Sequence, residues 1–104
     1  MLFGWLFQTR EIEEFGKELA KDFASRFPAN LVGTNRKEAD KKFSVALAEL
    51  HRKAVLFNRD KKLGIYKKAK MSNVLKWELR EQGYDSDLIN EVIKGMLIAM
   101  AKRK

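Results

Sequence analysis

Apolar residues recur along nearly the whole chain at helical rather than strand spacing, and the clearest stretch is Ala39 to Phe57. Ala39, Phe43, Ala46, Leu47, Leu50, Ala54 and Phe57 fall within an arc of about 100° at about 100° per residue, which predicts a helix with one clean inner side. Asn35 followed by Glu38 suits a capping box at its start. Glu38 with Lys42, and Glu49 with Lys53, are acid-before-base pairs one turn apart. The outer side carries Lys37, Lys41, Arg52, Arg59 and Lys62. Gly64 either breaks or kinks this helix.

An earlier helix is expected from Arg10 to Arg26, because Ile12, Phe15, Leu19, Phe23 and Phe27 make one narrow apolar side. Thr9 suits its N-cap, and Glu11, Glu13 and Glu14 would face the positive end of the dipole. Pro28 ends it, since the residue before a proline is driven out of helical geometry. Before it stands Met1 to Phe7, where Leu2, Phe3, Trp5, Leu6 and Phe7 would form a large apolar patch if left in water. The expectation is that this segment folds back over the core; a dimer contact or a membrane contact are the alternatives.

A third helix ends at Gln82, because Gly83 suits the left-handed position after a helix, and it begins somewhere between Ile65 and Asn73. Ile65, Ala69, Ser72 and Leu79 make one side, with Leu75 at its edge. Tyr66, Lys70, Asn73, Trp77 and Arg80 make another, mixed aromatic and basic. Gly83 to Ser86 is a tight turn, with Asp85 or Ser86 capping a fourth helix. Leu88, Ile89, Val92, Ile93, Met96, Leu97, Ile98, Ala99 and Met100 wrap most of that last helix, and Gly95 permits a neighbour to approach closely. The reading is a single all-α domain over residues 1–104, with four helices and antiparallel neighbours. Its expected core is Ile12, Phe15, Leu19, Phe23, Phe43, Leu47, Leu50, Phe57, Leu79, Leu88, Val92 and Met96.

Composition narrows the classes of function. The absence of Cys removes disulfides, thiolate metal sites and Cys nucleophiles together. His51 is the only histidine and sits on a helix flank, so it reads as a boundary residue and not as a base. No glycine-rich phosphate loop, G-x-S-x-G or H-E-x-x-H occurs. The expectation is therefore a protein that is not an enzyme and uses no cofactor, metal or small-molecule substrate. The longest apolar runs, Met1 to Phe7 and Gly95 to Ala101, fall well short of the ~20 residues a bilayer requires. With no secretory pattern at the first residues, a cytoplasmic location is the default.

Charge adds the one feature that stands out. Arg52 to Lys76 holds nine bases against the single acid Asp60, and so carries the whole chain's net charge of +8. Lys41, Arg52, Arg59, Lys62, Lys67, Lys68, Lys70 and Lys76, with Tyr66 for stacking, are the candidate contacts for nucleic acid, as one track along the second and third helices. Trp77 is expected in the core. The helix–turn–helix outline at Glu78 to Val92 is set aside, because its second helix is too apolar to read a groove. Surplus apolar surface at Leu2, Phe3, Trp5, Leu6, Phe7, Leu97 and Met100 favours a binding or adaptor role with another protein, or with a second copy, as partner. Sequence-tolerant nucleic-acid binding is the alternative. Membrane attachment ranks below both, because residues 1–35 carry four bases and five acids.

Overall fold

The computed structural model describes the backbone of residues 2–34 and 36–102, with side chains from Thr9 onward in those ranges. Its elements are α1 (Leu2–Arg26), a single 3-10 turn (Ala29–Leu31), α2 (Lys37–Lys61), α3 (Ile65–Glu81) and α4 (Ser86–Lys102). The all-α, four-helix reading holds.

α1 is longer than its acidic residues suggest. Its 25 residues run unbroken from Leu2, so Thr9 lies inside the helix and the first residues continue its axis instead of folding back. Glu11 and Glu13 do not serve a helix start. They reach neighbouring helices, with Glu11 2.8 Å from Lys61 of α2 and Glu13 3.2 Å from Lys70 of α3. The chain leaves α1 at Phe27 and enters the 3-10 turn through Pro28, as the proline requires.

α2 starts from Arg36, which is extended and makes no side-chain cap bond. Glu38 is therefore one position too early for a capping box, and Asn35 lies outside the described residues. The helix ends at Lys61, and Lys62 takes the left-handed conformation (φ 52°) as its N–H bonds the Asn58 carbonyl at 2.7 Å. Gly64, extended, is the residue before α3, so the helix breaks there and does not kink. At the far end of α3 Gly83 adopts φ 100°, and the Asp85 carboxylate accepts the Leu88 N–H at 2.9 Å to cap α4.

Consecutive helices α1 and α2 run in opposite directions, since Glu11 meets Lys61 while Asp22 meets Lys53. α1 and α3 lie side by side and parallel, because Glu13 meets Lys70 and Gly16 meets Val74. α1 and α4 each pack against α2 and α3, which leaves α2 and α3 at opposite corners. A Cβ on Gly16 would stand 2.7 Å from Val74 Cγ1, so this residue sets how closely α3 approaches α1.

The core is aromatic at one end. Phe23 is fully buried, with the rings of Tyr84 at 5.5 Å, Phe27 at 6.1 Å and Phe43 at 6.2 Å, all edge-on. Farther along, Phe15 and Phe57 stack at 3.9 Å. Every expected core residue is buried or packs against the buried cluster. Met71, Leu75, Tyr84, Ile89 and Met100 join them. On α3 the buried residues are Met71, Leu75 and Leu79, a four-residue step that puts Leu75 at the centre of the inner side and leaves Ile65 88% exposed. Of the side expected from Ile65, Ala69, Ser72 and Leu79, Leu79 and the Ser72 hydroxyl are buried, and Ile65 and Ala69 are corrected to exposed. The cause is that α3 must satisfy two neighbours, α1 and α4, which rotates its inner side toward both.

Tyr84, expected only as a turn residue, ties two connections together: its hydroxyl donates to the Phe27 carbonyl at the end of α1. Burial pushes its phenol up to about 12. Tyr84→Phe is expected to cost about 1–3 kcal/mol in urea unfolding, because it leaves the buried Phe27 carbonyl without a donor.

Candidate interface on the outer side of α3

With Met71, Leu75 and Leu79 turned inward, helical geometry turns Tyr66, Asn73, Lys76, Trp77 and Arg80 outward. Tyr66 is 66% exposed and Trp77 61%. Trp77 is therefore not core, contrary to the expectation from its type. The Arg80 guanidinium lies 5.7 Å from the centroid of the Trp77 ring, within cation–π range. Asn73, Lys76, Trp77 and Arg80 line one shallow recess. No acid occurs between Lys61 and Trp77, and the first one after them, Glu78, is half-buried. Two rings about 16 Å apart along the axis thus stand on one surface, with Lys76 and Arg80 beside Trp77 and the exposed Glu81 one turn beyond it.

The other candidate bases divide. Lys41, Arg52 and Arg59 are exposed on α2, at the opposite corner from α3, and Lys62 is exposed in the connection between the two, so no continuous track joins the two helices along their lengths. Arg52 is also engaged, with two hydrogen bonds of 2.9 and 3.0 Å to Glu49. That bond holds the Glu49 carboxyl below its ordinary value and the Arg52 guanidinium above its own. Lys53 meets Asp22 of α1 at 3.4 Å in place of Glu49. Among the described residues no ion pair joins Glu38 to Lys42. Lys61 and Lys70 are the partners of Glu11 and Glu13, and Lys67 lines a recess with Glu11, Ile12 and Phe57. Much of the basic run therefore joins α1 to α2 and α3. Lys76 stays with the outer side of α3, where Asn73, Trp77 and Arg80 accompany it. The spacing of Tyr66, Asn73, Trp77 and Arg80 was the signal for this group.

The expected apolar interaction surface also changes. Met100 is 2% exposed and belongs to the core, because it continues the inward line of Ile89, Val92 and Met96. Leu97 is 37% exposed, beside Ile98 at 46%. The side chains of Leu2, Phe3, Trp5, Leu6 and Phe7 lie outside those described. Among the described residues no helix is long and apolar enough to cross a membrane.

His51 faces α4 at Gly95, where a Cβ would stand 2.9 Å from its Cε1. Its Nε2 is buried without a hydrogen-bond partner. Burial holds the imidazole below its ordinary 6.5, and a hydrogen bond to the Val92 backbone pulls the other way. Just below 6.5 the unfolded chain therefore binds more proton than the folded one. The stability tied to His51 is present above 6.5 and is lost as pH falls through the folded value. Urea unfolding at about pH 5 and about pH 7.5 is expected to show a smaller difference in His51→Asn than in the unaltered protein.

Comparison of the chain with protein-family models, with curated proteins and with solved structures finds no match.

Proposed function

We propose that this is a non-enzymatic binding protein that takes single-stranded nucleic acid on the outer side of α3. The observation that carries the reading is the pair of exposed rings, Tyr66 and Trp77, on a side that holds Lys76 and Arg80, with Glu81 the exposed acid one turn beyond Trp77. Unpaired bases stack on such rings whatever their sequence, and cations beside them meet the phosphates. Trp, Tyr and Arg also anchor protein partners. The apolar residues expected to hold a partner protein have lost Met100 to the core. The α2 bases Lys41 and Arg52 fall outside this site.

Fluorescence anisotropy of labelled mixed-sequence DNA and RNA strands, at about 50 and about 200 mM salt, tests it. With Lys76, Arg80 and one further base on phosphates, log affinity should fall with log salt at a slope of about −2. No binding at low salt and micromolar protein would overturn the reading and leave the protein-partner role in its place.

A further inference from the structure

α1 begins before its neighbours do. Glu11 lies at the level of Lys61, the last residue of α2, and Glu13 at the level of Lys70, in the second turn of α3. Since α3 runs parallel to α1, its first residue, Ile65, lies near the level of Gln8. The helical backbone from Leu2 to Phe7 thus precedes both, by roughly 9 Å at 1.5 Å per residue. Its sequence there is Leu-Phe-Gly-Trp-Leu-Phe. Beside it stands Ile65, 88% exposed, the most exposed large apolar side chain described. Around the same end lie Lys61, Lys62, Lys67 and Lys68 from the α2–α3 connection and the first turn of α3. Among the described residues Lys62 and Lys68 have no ion pair.

We propose that this end of the molecule docks on an anionic lipid surface, with the first turns of α1 and Ile65 entering the interface and the connection lysines meeting the headgroups. The proposal is independent of the reading for the outer side of α3. It reverses the expectation drawn from residues 1–35, whose own charge is slightly negative. The cations come instead from residues more than fifty positions away in the chain that the fold sets beside α1. Apolar insertion and basic residues are the two signals that stable surface attachment requires. Charge also argues against a second copy as occupant. A symmetric contact at this end would set the same lysines against each other, whereas lipid phosphates complement them.

The two tryptophans, Trp5 and Trp77, separate this site from the other. Trp77→Phe leaves Trp5 as the sole indole, read on phosphatidylcholine vesicles with and without about 30% phosphatidylglycerol. The expected result is flotation with the anionic vesicles together with a blue shift of Trp5, and neither with phosphatidylcholine alone. Lys62→Gln and Lys68→Gln should each lower the partition coefficient about fivefold. Three results would overturn the proposal. They are no flotation at low salt, flotation with Trp5 unshifted, or a Trp5 already shifted in buffer in a chain that sediments as a dimer. Trp5→Phe, which leaves Trp77 alone, should show no shift on the same vesicles.

Discussion

Phe23→Ala is expected to lower the unfolding free energy by about 3–5 kcal/mol, the range for removing a large buried aromatic side chain. Phe23 is fully buried where α1 meets α2 and the turn before α4, and three rings contact it edge-on. Those rings come from Phe27, Phe43 and Tyr84, each on a different segment, so they cannot all close on the space the phenyl leaves. A domain of this size has about 5–15 kcal/mol in total, so the variant should unfold at a much lower urea concentration. An effect below about 1 kcal/mol would mean that the aromatic cluster is not the centre of the core.

Trp77→Ala should have the opposite profile. The ring is 61% exposed, so stability should stay within about 0.5 kcal/mol of the unaltered protein. Binding of a single strand should weaken by about 1–3 kcal/mol, or roughly 5- to 150-fold, which is the worth of one base stacked on an aromatic ring. Lys76→Gln should instead flatten the salt dependence by about 0.7 per log unit. Anisotropy titrations of both variants beside the parent separate stacking from charge. Equal losses in the two, with unchanged salt slopes, would count against a stacked base.

Helix α2 was legible because seven apolar positions over five turns leave one arc and no competing one. Asp85 and Gly83 were legible because a cap and a left-handed residue are local demands, met by residues within one turn. The start of α1 was not legible. Glu11, Glu13 and Glu14 imitate the acidic first turn of a helix, and only the folded chain reveals that Glu11 and Glu13 answer Lys61 and Lys70 across interfaces. The inner side of α3 was ambiguous for a related reason. Its apolar residues are spread over most of its circumference, and its rotation is fixed by the contact of Gly16 with Val74, 58 residues apart in sequence. Once that contact sets Met71, Leu75 and Leu79 inward, Trp77 has to face out. The concentration of charge in Arg52 to Lys76 could be read directly. Its division could not, because the short connection Lys62–Gly64 carries the chain from one corner of the assembly to the opposite one.

The central claim is that a single strand lies on the outer side of α3, and Trp77 can report on that contact itself. In Trp5→Phe it is the only indole, so its emission can be followed as an unlabelled mixed-sequence strand is added at low salt. The expected result is saturable quenching whose midpoint matches the anisotropy curve and moves to higher strand concentration as salt is raised. Binding seen by anisotropy with Trp77 emission unchanged would place the strand elsewhere on the protein and contradict the claim.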